Sequence, residues 1–157
     1  MLDKFLTTEE SITHWFKDHN IKNYTLILDS KYGFIVDVDG GVNLSNKNLT
    51  HIPIKFNHVT GDFDCGVNQL TSLEFCPSSV GGAFYCDHNQ LTSLEFCPST
   101  VGGDFYCNHN PALKEIQQIN DFNEIYQRHR EYLITQSYHK IDSQLTNHYS
   151  QSRKIKI

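Results

Sequence analysis

The sequence predicts an α/β fold: a short solenoid of about four parallel rungs, with a helix and hairpin capping its N-terminal end and helices capping its C-terminal end. Three observations lead there. The segment Asn68 to Val80, NQLTSLEFCPSSV, returns from Asn89 to Val101 as NQLTSLEFCPSTV, a period of 21 residues that lies in the range of stacked supersecondary units. Glycine recurs in one column at Gly40, Gly61, Gly82 and Gly103, and valine in another at Val38, Val59, Val80 and Val101. Helical and hairpin patterns, not further copies, flank the array.

Residues 1–37 read as the first cap. Thr7-Thr-Glu-Glu10 has capping-box spacing, Ile12, Trp15 and Phe16 share one helical face, and Asn20 is a stop signal. Tyr24–Asp29 and Phe34–Asp39 alternate like strands around the turn Ser30-Lys-Tyr-Gly33. A cap is physically required, because a bare solenoid end leaves a sheet edge and core side chains in water.

Residues 38–113 form the array. Phe63-Asp-Cys65 alternates with period two, as a short strand with Phe63 and Cys65 turned inward. Asn68, Asn89 and Asn110 follow the strands at a turn, where a side-chain amide satisfies backbone groups left unpaired by the bend. Pro77 and Pro98 stiffen the return limb, and Gly82 and Gly103 permit a tight bend before the next strand. The first repeat is atypical, with Val42 and Leu44 at the strand positions and Lys47 opposite Asn68. Residues 114–157 read as a helical cap and tail. Asp121-Phe-Asn-Glu124 has capping-box spacing before Ile125, Tyr126, His129, Tyr132 and Leu133, a second helix is expected near Tyr138 to Tyr149, and a basic tail ends at Arg153-Lys-Ile-Lys156.

Phe63-Asp-Cys65-Gly-Val-Asn68-Gln-Leu70-Thr-Ser-Leu73 resembles the leucine-rich-repeat pattern LxLxxNxLxxL, and LEFCPSSV is similar to the LPxLPxxL limb of the short class found in secreted enterobacterial effectors. The chain looks closer still to small leucine-rich proteins of tailed bacteriophages, whose repeats read like GGDFxCxxNxLTSLExxPxxVGG. The resemblance covers about residues 38–113 and implies a binding architecture without a set chemistry.

At 157 residues the length suits one domain, and a formal net charge of −5 argues against a general nucleic-acid binder. No stretch of about 18 apolar residues is present, and acidic residues interrupt what a signal peptide would keep apolar, so a cytoplasmic protein is expected. Cys65, Cys86 and Cys107 share one repeat position and Cys76 and Cys97 another, both at core positions, so they read as small buried hydrophobes. Cys86-Asp-His88 and Cys107-Asn-His109 invite a metal reading, but no CxxC-type pair accompanies them; no metal or cofactor is expected.

Function is sought where folding makes no demand. The residues flanking and separating the inward strand pairs face the concave side: Gly41, Asp62, Ala83 and Asp104, then Asn43, Asp64, Tyr85 and Tyr106, then Ser45, Gly66, Asp87 and Asn108. Solvated acidic residues need no explanation, whereas two tyrosines without packing duty suit an interface anchor. The candidate partner-binding set is Asp62, Asp64, Tyr85, Asp87, Asp104, Tyr106 and Asn108, facing a protein with a basic surface. Ile54, Phe75 and Phe96 form a second apolar column, either a contact for self-association as a homodimer or a surface covered by the terminal helices. No nucleophile elbow, P-loop, dinucleotide-binding glycine motif or HExxH occurs, so no enzyme is expected. The resemblance implies a phage-encoded module that acts in the host bacterial cytoplasm on a defence or nucleic-acid-processing protein, without touching nucleic acid or membrane. A self-associating or virion-linked structural protein is the alternative, and a nucleic-acid-processing enzyme stands third.

Overall fold

The computed structural model describes residues 5–113 together with 124, 127, 131, 134 and 135. The chain divides into two compact units, Met1–Phe122 and Asn123–Ile157. In the second, Glu124, Gln127, Glu131, Ile134 and Thr135 are helical, and the Thr135 hydroxyl donates to the Glu131 carbonyl one turn back, 2.9 Å. The helix expected near Tyr138 to Tyr149, the basic tail and the rest of the 114–157 cap lie outside the described residues.

The first unit opens with α1, Glu9–Asp18. Thr8, not Thr7, is its N-cap: Thr8 has extended backbone angles, its Oγ1 accepts the Ser11 N–H at 3.3 Å, and Ser11 Oγ donates back to the Thr8 carbonyl at 2.8 Å. Thr7 stays outside the helix because its backbone packs beside Gly33, where an added Cβ would come within 3.2 Å of the Thr7 carbonyl oxygen. The helix ends as the sequence indicates. Asn20 has φ 54°, and the N–H groups of Asn20 and Ile21 return to the carbonyls of Lys17 and Phe16 at 3.2 and 2.9 Å, a Schellman closure. Ile12 and Phe16 are buried. Trp15, expected beside them, is half-buried and stacks on the His19 ring, 4.0 Å between centroids; residues four apart take the core-facing stripe and Trp15 flanks it.

Strands β1, Tyr24–Asp29, and β2, Gly33–Val38, pair antiparallel. Asp29 Oδ1 accepts the N–H groups of Lys31 and Tyr32, both at 2.8 Å, and Gly33 takes φ 75°, so β2 begins one residue before the expected Phe34.

From β2 to β9, Phe105–Tyr106, the described chain is a parallel β-solenoid of about three turns. One ladder consists of β3, Val42–Asn43, β5, Phe63–Asp64, β7, Phe84–Tyr85, and β9, Phe105–Tyr106, paired in register at the 21-residue period. A second ladder, not anticipated, consists of β4, Lys55–Val59, β6, Ser79–Val80, and β8, Thr100–Val101, joined to the hairpin in the order β1-β2-β4-β6-β8. The valine column belongs to this ladder. Two-residue strands such as β6 carry no readable alternation; stacking makes them strands.

The core runs along the axis as a chain of rings. Phe16 meets Phe56 at 5.9 Å, Phe56 meets Phe63 at 5.3 Å, Phe63 meets Phe84 at 5.9 Å and Phe84 meets Phe105 at 5.4 Å between centroids. Burying each such ring stabilises by roughly 1.5–3 kcal/mol, and the first contact ties the helix to the solenoid.

The chain bends at Gly82 and Gly103 as expected, and the glycine before each serves close approach. At Gly81 and Gly102 a Cβ would collide with the carbonyl oxygens of Thr60 and Gly81 on the preceding rung, so a side chain there would force the rungs apart.

The asparagines do what the sequence predicts. Asn89 Oδ1 accepts the Leu70 N–H at 2.9 Å, and its Nδ2 donates to the carbonyls of Cys65, Cys86 and Asp87 at 3.0–3.2 Å. Asn110 repeats this one rung on with Leu91, Cys86, Cys107 and Asn108. Asn68 Oδ1 takes the N–H groups of Lys47 and Leu49, both at 3.0 Å, in the atypical first repeat. Each amide therefore ties two rungs. All five cysteines are free thiols; four are buried and Cys97 is half-buried.

Candidate functional site

The site is built by the ladder β3-β5-β7-β9. Its register sets Asn43, Asp64, Tyr85 and Tyr106 side by side, pointing away from the core because Phe63, Phe84 and Phe105 point into it. The Tyr85 and Tyr106 rings lie 4.9 Å apart and 5° from parallel, close to the strand spacing of about 4.8 Å. Tyr106 is 40% exposed and Tyr85 is half-buried beneath it.

Each neighbouring aspartate has one oxygen engaged inside the chain. Asp62 Oδ1 accepts the Ala83 N–H at 2.8 Å, and Asp64 Oδ1 accepts the Gly66 N–H at 2.9 Å. Asp87 Oδ2 lies 2.7 Å from His88 Nδ1, and Asp104 Oδ2 accepts the Tyr106 hydroxyl at 3.1 Å. These bonds hold the carboxylates in place while the charge stays at the surface. The hydrogen bond to Asp104, then that carboxylate's negative charge, raises the Tyr106 phenol pKa above its ordinary value. Gly66 separates Asp64 from Asp87, and a Cβ there would lie 3.2 and 2.9 Å from one oxygen of each.

Around the start of this column lies a groove of about 490 Å³ lined by Gly41, Val42, Asn43, Asp62, Asp64 and Tyr85. Of the expected site residues, Asp62, Asp64 and Tyr85 line it. Tyr106 and Asp104 continue the patch one rung further, and Asp87 and the half-buried Asn108 border it at the turn. The sequence names His88 and His109 beside the cysteines, in a metal reading, and leaves them out of the binding set. Their rings stack at 4.0 Å and 13°, a second aromatic pair beside the tyrosines. Their shared place in the 21-residue period is the signal that pairs them, as it pairs the tyrosines.

The second apolar column does not form a continuous exposed stripe. Ile54 is 1% exposed and Phe75 8%, whereas Phe96 is 52% exposed. Phe75 is covered from within the chain by Phe5 and Tyr32, with ring centroids at 4.5 and 5.3 Å.

Among the described residues no group of three or more His, Cys, Asp or Glu side chains is placed to hold a metal ion. Burial pushes the Cys97 thiol up to about 12 and the Cys107 thiol up to about 11, and drives Cys86 well above its ordinary value, so these thiols stay protonated and unreactive at neutral pH. No described helix is long and apolar enough to cross a membrane. No protein-family model, curated protein or solved structure matches the chain.

Proposed function

We propose that this chain is a non-catalytic protein-binding module that captures an arginine or lysine side chain of a basic protein surface on the face carrying Tyr85 and Tyr106. The observation that carries this reading is the parallel tyrosine stack at 4.9 Å framed by Asp62, Asp64, Asp87 and Asp104, with no lysine or arginine in the ladder columns that form that face. A guanidinium can lie against an aromatic ring while pairing with a carboxylate, and the fixed rings lose little entropy on binding. The acidic surround also speeds encounter with a cationic partner.

We read the solenoid as a leucine-rich-repeat one, on the motif resemblance and on the asparagines that bridge successive rungs. That resemblance makes the chain phage-encoded and its partner a host defence or nucleic-acid-processing protein in the bacterial cytoplasm, blocked by occupation of its basic surface. A second reading, a self-associating or virion-linked repeat protein, draws on the exposed ring of Phe96. Affinity capture from bacterial lysate, followed by binding measurements on the purified partner, tests the first reading. Tyr85→Ala with Tyr106→Ala must abolish binding to that partner. Undiminished binding by the double variant rejects this face as the site.

A further inference from the structure

We propose that a second copy of this chain docks along the open edge of β1, pairing β1 with β1 antiparallel about a two-fold axis at Leu26. This interface is separate from the tyrosine face and does not depend on it.

Strand β1 ends its sheet, in the order β1-β2-β4-β6-β8, so one side of it has no strand neighbour among the described residues. Which groups face that side follows from the register. The Asp39 N–H donates to the Asn23 carbonyl at 2.8 Å, and Tyr24 stands opposite Val38. In an antiparallel pair, bonded and non-bonded positions alternate. Asn23, Thr25, Ile27 and Asp29 therefore turn their backbone groups to β2, and Tyr24, Leu26 and Leu28 turn theirs outward.

Free edges are ordinarily blunted by lysine, proline, a bulge or a covering loop. From Tyr24 to Leu28 the strand reads YTLIL, with none of these residues and no charge. Leu28 is 81% exposed, although it shares a face with Tyr24 and Leu26, whose partners Val38 and Val36 are buried core residues. A core-facing leucine is left uncovered at the rim.

A second copy completes this edge. Two-fold pairing at Leu26 sets Leu26 against Leu26 and Tyr24 against Leu28 of the partner copy, outward groups meeting outward groups, with about six N–H···O=C bonds. Moving the axis to Ile27 sets Leu26 against Leu28 but leaves Tyr24 facing Ser30, beyond the strand. At the Leu26 register the two Asp29 carboxylates stand roughly 20 Å apart, six residues at about 3.3 Å each, beyond the screening length of about 8 Å. The strand is thus self-complementary in hydrogen bonding and free of like-charge conflict.

Sedimentation velocity of the full chain from about 1 to about 300 μM, with amide hydrogen exchange at both ends of that range, tests the proposal. The expected result is a dimer whose Leu26 and Leu28 amides exchange about tenfold or more slowly at the high concentration, while Thr25 and Ile27 are protected throughout. Leu28→Lys should weaken the dimer about tenfold or more, and Phe96→Ser should leave it unchanged. A monomer throughout the range overturns the proposal, as does a dimer with Leu26 and Leu28 exchange independent of concentration. Because the exchange measurement uses the parent chain, a poorly folded variant does not remove the test.

Discussion

Phe75 and Phe96 hold the same position in near-identical repeats, yet Phe75 is 8% exposed beneath Phe5 and Tyr32 whereas Phe96 is 52% exposed. Both adopt left-handed backbone, φ 76° and 67°, which glycine occupies without strain. Phe75→Gly should cost about 2 kcal/mol or more, because lost packing outweighs the relief. Phe96→Gly should change stability by less than about 1 kcal/mol, in the stabilising direction if anything. Urea unfolding of the two variants measures both, and equal losses would mean that the Phe5–Tyr32 cover contributes nothing.

The asparagine ladder sets the rung spacing from inside. Asn89 is 4% exposed, and removing its side chain strands the Leu70 N–H and the carbonyls it joins across two rungs. Asn89→Ala should therefore destabilise by about 3 kcal/mol or more. Asn89→Asp should do no better, since a carboxylate loses the donors and faces carbonyl oxygens. A loss under about 1 kcal/mol by denaturant titration would count against the ladder's role.

Val67 also has left-handed backbone, φ 52°, and is 50% exposed. A β-branched residue is disfavoured there, whereas asparagine tolerates it, and Asn46 occupies the same column one rung earlier at φ 55°. Val67→Asn should stabilise by about 1 kcal/mol, raising the melting midpoint by about 2–4 °C. A lower midpoint would refute this.

Buried thiols make stability fall in alkali. Burial pushes Cys97 from its ordinary 9.0 to about 12 and Cys107 to about 11, while the unfolded chain ionises both near the ordinary value. Their contribution is whole below that value and is lost as pH rises from it to the folded value, at about 1.4 kcal/mol per pH unit for each thiol. Cys97→Ala should flatten the decline in unfolding free energy measured from pH 8 to 10; an unchanged slope would contradict the assignment.

At the tyrosine face, Asp104→Asn should bring the Tyr106 phenol pKa down toward its ordinary value, read by ultraviolet titration, because it removes both the charged acceptor and the negative charge that raise it. Asp64→Asn keeps an oxygen for the Gly66 N–H, so the fold should hold. With the captured partner, this change should slow association and flatten its salt dependence, dissociation changing less.

The 21-residue period by itself determined the rungs and the face. Register in a repeat array is inherited from the spacing, so Asp64, Tyr85 and Tyr106 had to align once Phe63, Phe84 and Phe105 pointed inward. The roles of Asn89 and Asn110 were legible for the same reason, since a polar residue repeated at a turn has backbone groups to satisfy. Tertiary structure alone decided what differs between equal positions. It built the second ladder by stacking β6 and β8, two-residue strands too short to signal themselves, onto β4, and moved the helix cap from Thr7 to Thr8 because the hairpin turn packs against Thr7. It buried Phe75 but not Phe96, and left Leu28 of β1 uncovered on the core side. A local pattern specifies which way a side chain points; whether another segment arrives to cover it depends on contacts distant in sequence.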